Sequence, residues 1–375
     1  MIEFTLPALG ADMDEGTLLE WRIKPGDAVK KGQIIAVVDT SKAAIDVESW
    51  HEGTVAELLV VPGTKIPVGA LMATFLEPGE APGAVMRLPK EPTAAGAQAG
   101  PSRRRRISPA ARKAAHEHGI DVENITGSGP DGAITLADVE HATQSRGAVP
   151  GDRSAEIRKA IAAAMTRSKH EIPHYYVAEM IPLVALLAWL ARENAKRPLA
   201  ERLLPAVMLI KAVALSLKQF PEFNGFFRDG AFEAAAAVHV GVAISLRQGG
   251  LMAPALLDAD TKSLTQLMQE LTDLVKRCRG GSLKSSEMSA PTVTVTNLGD
   301  QGAAQVFGII YPPQVALVGF GRITEQPWAE NGGLKVVPAV TASLSADHRV
   351  SDGHRGALFL TELRELLQHP EALDR

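Results

Sequence analysis

Two stretches near the start of the chain read as copies of one another. Residues 16–38 are GTLLEWRIKPGDAVKKGQIIAVV and residues 53–75 are GTVAELLVVPGTKIPVGALMATF. At a constant offset they share Gly16/Gly53, Thr17/Thr54, Glu20/Glu57, Pro25/Pro62, Gly26/Gly63, Gly32/Gly69 and Ala36/Ala73. A fixed-offset duplication means that each copy is one supersecondary unit that needs its neighbour to cover an apolar face. Apolar and polar residues alternate around Pro-Gly turns, which is the pattern of short strands. Residues 1–77 are therefore expected to close as an all-β flattened barrel or sandwich. Between the copies lies Asp39-Thr40-Ser41-Lys42-Ala43-Ala44, flanked by strand-like residues 34–38 and 45–48. That pattern is a hairpin with Lys42 at its tip. Most lysines on turns are only solvated charges. This one sits midway between symmetric halves, on a projecting hairpin that a modifying enzyme can reach.

The rest of the chain changes character twice. Residues 78–103 are rich in Pro, Ala and Gly, lack a period, and read as a semi-extended linker. A basic block, Arg103 to Arg106, leads into Ser108-Pro109, a good N-cap and first helical residue. A short helix to about His118, a loop around Gly127-Ser128-Gly129-Pro130-Asp131-Gly132 and a second short helix from Thr135 give a small helical module over 104–143. After a linker at 144–153, residues 154–375 mix helices (157–169, 183–196, 203–218, 261–279, 354–367) with strands (172–179, 238–246, 292–297, 315–322, 335–344), an α/β domain large enough for its own core.

The last strand runs into Ser345-Ala346-Asp347-His348-Arg349-Val350-Ser351-Asp352-Gly353. His348 is expected at a strand-to-helix corner and Asp352 at about the helix N-cap. Taken alone, a structural histidine beside a capping aspartate is the better reading of this string. The net charge of −4 gives no general pull toward nucleic acid or anionic membrane. The single cysteine, Cys278, excludes an internal disulfide and a cysteine zinc cluster, and points to a reducing compartment. No signal or transit pattern precedes the first strand-like residues, so a cytoplasmic location is expected. No metal-ligand spacing links His116, His118 and His141, and no metal is expected.

These segments carry a resemblance. Asp39-Thr40-Ser41-Lys42-Ala43 resembles the lipoyl-domain hairpin, whereas biotinyl domains carry Met-Lys-Met at the tip. Residues 104–143 resemble a peripheral subunit-binding domain: Ser108, Pro109, Ala111, Arg112, Ala115, Gly119, Ile120, Asp121, Gly127, Gly129, Gly132, Ile134, Asp138 and Val139 fit, while Ala133 and Leu136 replace usual basic residues. RKAIAAAM, IPHYYV, FPEFN, VGVAIS, APTVTVTNLG, YPPQVALVGFG and SADHRVSDGHRGALFL resemble the acyltransferase domain of the E2 chains of 2-oxo acid dehydrogenase complexes, which shares the chloramphenicol acetyltransferase fold. The resemblance implies lipoate on Lys42, coenzyme A as acyl acceptor, His348 as general base, Thr296 as oxyanion donor and Asp352 as a supporting acid. On residue type alone Thr292 or Thr294 would serve as well as Thr296. Asp352 is expected either to pair with an arginine such as Arg158 or to act as a cap only.

The resemblance also implies a decarboxylase (E1) or dihydrolipoamide dehydrogenase (E3) partner for residues 104–143. It implies a homotrimer, and in the family trimers pack into larger cages by their C-terminal helices. Here the chain ends Pro370-Glu371-Ala372-Leu373-Asp374-Arg375 where leucines are usual, which leaves the cage open, and His354 stands where a small or acidic residue is usual. Acetyl is the expected acyl group, with branched-chain and acetoin-type transfer as alternatives. A non-catalytic lipoyl-bearing scaffold is the rival from another class; the joint presence of His348, Asp352 and Thr296 argues against it.

Overall fold

The computed structural model describes the chain except residues 8–12, 14, 41–43, 77–106, 118–128, 130–132, 137, 140–152, 247–249, 300–301 and 375. Its contacts divide it into two units, Met1–Pro82 with Glu156–Arg375, and Gly83–Ala155.

The duplicated segment folds as eight strands: β1 (Ile2–Thr5), β2 (Glu15–Trp21), β3 (Ala28–Val29), β4 (Ile34–Asp39), β5 (Ala44–Glu48), β6 (Gly53–Leu58), β7 (Lys65–Pro67) and β8 (Leu71–Leu76). The copies exchange strands. β2 of the first copy pairs with β7 of the second, and β3 of the first with β6 of the second. Two facing sheets result, one ordered β1-β8-β6-β3 and the other containing β5-β4-β2-β7. Phe4, Leu18, Ile35, Val38, Ile45, Val47, Met72 and Phe75 are buried between them. The repeated glycines are there for backbone reasons: Gly26 and Gly63 have φ of 93° and 89°, and Gly32 and Gly69 have φ of 80° and 83°. Side chains with a Cβ adopt that region only with strain. Gly26 N–H donates to Val55 O, and Gly63 N–H to the equivalent Leu18 O.

In the small unit, Ser108 caps α1 (Pro109–Glu117) by accepting from Ala111 N–H at 3.1 Å. Ile107 bridges to Ile134, and Ala111, Ala115, Ile134 and Val139 form a four-residue core. The Asp138 carboxylate accepts from both Thr135 N–H and Thr135 Oγ1 at 2.8 and 2.9 Å, which pins the second turn. The Arg103–Arg106 block lies outside the described residues.

The large α/β part begins with α2 (Arg153–Glu171), β9 (His174–Pro182), α3 (Val184–Ala195) and α4 (Pro205–Gln219). A hairpin, β10 (Gly225–Arg228) and β11 (Ala231–Ala234), precedes short strands β12 (Val240–Val242), β13 (Ile244–Ser245), β14 (Leu251–Met252) and β15 (Ala255–Leu256). Then come α5 (Leu264–Gly280), β16 (Leu283–Lys284), α6 (Ser285–Ser289), β17 (Val293–Asn297), β18 (Ala316–Phe320), β19 (Thr324–Glu330), β20 (Gly333–Asp347) and α7 (Gly353–Gln368). The central sheet is ordered β15-β12-β17-β18-β20-β19, with β9 also on β20.

Helix α4 is apolar nearly all round and correspondingly buried. Of its two lysines, Lys211 is fully buried, and burial lowers its pKa; the ammonium donates to Asp260 O and Lys262 O, both at 2.7 Å. Helix α5 starts on a capping box of Ser263 and Gln266 and stops at Gly281 in the left-handed region.

The strand expected over 238–246 is broken into β12 and β13. The strand expected over 335–344 is the middle of the 15-residue β20, whose first half pairs with β19 and leaves Leu334 83% exposed. No helix among the described residues is long and apolar enough to cross a membrane.

Candidate functional site

Strand β20 ends between two partners. Ala346 lies opposite Ala316 of β18, and Asp347 opposite His174 of β9. The chain then turns sharply, with Val350 and Ser351 N–H both donating to Asp347 O. His348 N–H donates to Pro173 O at 3.0 Å. Helix α7 follows, and Asp352 Oδ1 accepts from Arg355 N–H at 2.9 Å as its N-cap. The corner and the cap both stand where the sequence pattern puts them.

Neighbours fix this corner from three sides. Asp347 is fully buried, and its carboxylate accepts from Arg349 N–H (2.9 Å), Nε (3.0 Å) and Nη2 (2.6 Å). The Arg349 guanidinium also lies over the Phe227 ring, 3.9 Å from its centre. The Tyr175 ring meets His348 edge-on, with centroids 5.3 Å apart. Tyr175 Oη and Ser351 Oγ are hydrogen-bonded at 2.9 Å, and burial raises the phenol's pKa above its ordinary value. His348 itself is exposed in the single chain.

Asp352 is a cap and has no ion pair among the described residues. Arg158 is exposed and does not meet it. The reason is local: the Asp352 carboxylate is turned to the first N–H groups of α7, and the Arg355 N–H bond is the main cause holding its pKa below the ordinary carboxylate value. The ion pair at this corner is Asp347 with Arg349 instead. Neither residue of that pair, nor Tyr175 or Ser351, was marked out by the pattern; Tyr175 could have been, because it stands in the IPHYYV block.

The three threonines of β17 and its approach separate. They lie at alternate positions and so share one face. Thr292 Oγ1 donates to Asn224 Oδ1 at 2.6 Å, and Thr294 Oγ1 donates to Gln314 Oε1 at 2.7 Å. Both are buried, with their hydroxyl protons committed. Thr296 is half-buried, and its hydroxyl has no side-chain hydrogen bond among the described residues. Thr296 alone of the three has a donor to spare. It pairs with Gly319, and Gly319 with Ser343. Asp347, the last residue of β20 and the one before His348, is four residues further along that strand. This register puts Thr296 and the end of β20, where His348 follows, about 13 Å apart along the strand and about 10 Å apart across two strand spacings. One chain does not bring them together.

His174 is fully used by its backbone neighbours. Its Nδ1 lies 2.8 Å from Ile172 O, which can only accept, and its Nε2 accepts from Ile310 N–H at 3.1 Å. Burial lowers its pKa, in keeping with a neutral structural ring. Burial also pushes the Cys278 thiol up to about 11, far from a reactive thiolate. His354 is exposed beside Asp352. His118 and His141 lie outside the described residues; among those described, no cluster of His, Cys, Asp and Glu could hold a metal.

A cavity of about 450 Å³ lies under α4 and α5 and is lined by Ile210, Met268, Val275, Arg279, Val295 and Asn297. Val295 and Asn297 point to the face of β17 opposite Thr296, so this cavity is separate from the threonine hydroxyl. Lys42 lies outside the described residues. The described strands on either side of it, β4 and β5, pair antiparallel as far as Asp39 and Ala44.

Comparison with known proteins bears on the whole length. Residues 152–374 match the family model for the catalytic domain of 2-oxoacid dehydrogenases acyltransferase, 2–75 the model described as biotin-requiring enzyme, and 105–140 the e3 binding domain. The acetyltransferase component of the pyruvate dehydrogenase complex of Zymomonas mobilis is 30% identical, covering 98% of each chain. The acyltransferase component of the branched-chain alpha-keto acid dehydrogenase complex of Bacillus subtilis is also 30% identical, covering 98% of this chain and 97% of the relative. The solved cubic core of the pyruvate dehydrogenase multienzyme complex superposes with a TM-score of 0.55 at 30% identity, over 58% of this chain and 90% of that one.

Proposed function

Because the chain belongs to the 2-oxoacid dehydrogenase acyltransferase family, we propose that it moves an acetyl group from lipoyl-Lys42 to coenzyme A, with His348 as general base and Thr296 as oxyanion donor. At the coarser level it is the E2 acyltransferase of a 2-oxoacid dehydrogenase complex, with a lipoyl domain that carries covalent lipoate and coenzyme A as substrate. Lipoate supplies a thiol that carries the acyl group as a thioester.

The chain's own residues supply the rest. The coenzyme A thiol must lose its proton to attack the thioester, and the imidazole of His348, in its neutral form, is the general base that takes it. The attack places negative charge on the former carbonyl oxygen, and a preset hydroxyl donor lowers the barrier there. Thr296 has that donor uncommitted, which is the observation that supports its role over Thr292 and Thr294.

The separation of Thr296 from His348 within one chain supports a site shared between copies, in a homotrimer as the family resemblance implies. Larger cages remain part of the reading, although Leu373, near the C-terminal end, is buried in its own chain. Residues 104–143 bind the E3 dehydrogenase, the E1 decarboxylase, or both. A cytoplasmic location belongs to the same reading. The Zymomonas mobilis and Bacillus subtilis relatives name pyruvate and branched-chain complexes at the same 30% identity, so the acetyl choice leans on the resemblance of Ile172-Pro173-His174-Tyr175-Tyr176 to acetyl-type E2 chains. An acyl-CoA panel assayed with free dihydrolipoamide tests it. Acetyl-CoA should give the highest kcat/KM; a higher value with isobutyryl-CoA would move the assignment to the branched-chain class, and no transfer with any would support the scaffold.

A further inference from the structure

Strand β5 forms the edge of the lipoyl-domain sheet, and an edge strand leaves a row of backbone donors and acceptors unpaired. Here that edge is covered by the catalytic domain. β16 pairs with β5 in parallel, Leu283 opposite Ile45 and Lys284 opposite Asp46, so one five-stranded sheet ordered β16-β5-β4-β2-β7 runs through both domains. The contact is reinforced by side chains. Glu48 N–H donates to Ser285 Oγ at 3.1 Å, Ser286 Oγ donates to Glu48 Oε2 at 2.5 Å, and Lys284 Nζ stands 3.6 Å from Glu48 Oε1. Glu48 is only 7% exposed, although it belongs to a small domain's edge strand. A carboxylate buried to that degree needs its partners, and it finds them on the other domain. Leu283 is fully buried at the same junction. The receiving segment is itself held, because Arg277 grips Glu287 with two bonds of 2.5 Å.

We propose that residues 283–286 are a docking strand that binds this chain's own lipoyl domain by strand addition, with Glu48 as its anchor. This rests on the reading of residues 1–77 as the carrier. Main-chain pairing supplies the attraction, and the Glu48 contacts fix the register. The docked domain begins its paired strand two residues after Lys42 in the sequence. The carrier is thus held on the catalytic domain between visits to other partners, at an effective concentration a free linker alone does not give.

Disulfide trapping in the full-length chain tests this without any acyl transfer. Asp46→Cys with Lys284→Cys places two thiols on directly opposed residues, within the Cα range a disulfide accepts. Lys65→Cys with Lys284→Cys is the control, because β7 is the far edge of the sheet. Cross-linking of the first pair at least tenfold faster than of the control is expected; equal rates overturn the dock. Glu48→Ala and, on the receiving side, Ser286→Ala should each slow trapping severalfold, and unchanged trapping in both removes Glu48 as anchor. In the activity assay, Glu48→Ala should slow transfer from the chain's own lipoyl group and leave transfer from free dihydrolipoamide unchanged. If both fall together, Glu48 acts on the fold rather than on docking. Absence of all acyl transfer would overturn the enzymatic reading and leave the trapping result standing.

Discussion

The His348 corner and the Thr296 end of β17 are built in opposite ways. Around His348 the chain commits nearly every group: a buried Asp347–Arg349 pair, a cation over Phe227, an aromatic edge from Tyr175 and a capped helix directly after. Around Thr296 it leaves the reactive group uncommitted, after spending the hydroxyls of Thr292 and Thr294 on Asn224 and Gln314. This suits the proposed roles: a base must be aimed, and an over-determined backbone aims it; an oxyanion donor must be available, and a spared hydroxyl is. Thr296 lies on the sheet and His348 just past the end of β20, about 13 Å further along it. On the proposed roles, the difference teaches that a single chain carries two half-sites rather than one site.

The sharpest way to break that comparison is to damage each half separately. His348→Ala should lower transfer to coenzyme A by about 10²–10⁴-fold, as loss of a general base does. Thr296→Val, which keeps the shape and removes the donor, should cost about 10²–10³-fold in kcat. Both should leave the subunit number by light scattering unchanged. Mixing and reassembling the two inactive variants is the decisive measurement. In a cyclic oligomer, random assortment gives about a quarter of the interfaces an intact His348 from one copy and an intact Thr296 from the next. Activity should therefore return to that order; no recovery would mean that the halves do not meet across copies.

A smaller effect concerns what aims the base. Arg349→Ala leaves Asp347 buried without its cation, a change of the kind that costs about 3–5 kcal/mol. At about 2–4 °C per kcal/mol for a domain of this size, the melting temperature should fall by roughly 6–20 °C. Arg349→Lys restores charge without the fork and should recover only part of it. A melt within about 1 °C of wild type would show that the corner is held by its backbone alone.

What was legible in the sequence follows from range. The duplication fixed the strand pattern because Gly26, Gly32, Gly63 and Gly69 are needed for their own φ angles, a local requirement. The His348 corner was legible for the same reason: a strand, a turn and a capping aspartate are neighbours in sequence. The exchange of strands between the copies was not, since nothing in one copy says which β-edge it meets. Nor was the Asp347–Arg349 pair, because charge two residues apart gives no hint of burial. The choice among Thr292, Thr294 and Thr296 needed Asn224 and Gln314, one of them about 70 residues away. The junction of Glu48 with Ser285 and Ser286 spans 237 and 238 residues, beyond any periodicity.

The smallest effect separates the two readings of Asp352 that the pattern left open. Its pKa is lowered in the folded chain, chiefly by the Arg355 N–H bond. A carboxylate of that kind adds stability above its unfolded value, about 3.9, and loses it as the pH falls through the lower folded value. Asp352→Asn keeps an oxygen for Arg355 N–H and removes the charge. Wild type should therefore melt slightly above the variant at neutral pH, and the gap should close as the pH falls from about 4 through the lower folded value. Turnover should change by less than about threefold if the side chain only caps α7. A gap that stays constant across that range would mean the charge does not matter to the cap. A loss of turnover approaching that of Thr296→Val would mean that Asp352 reaches the reacting groups after all.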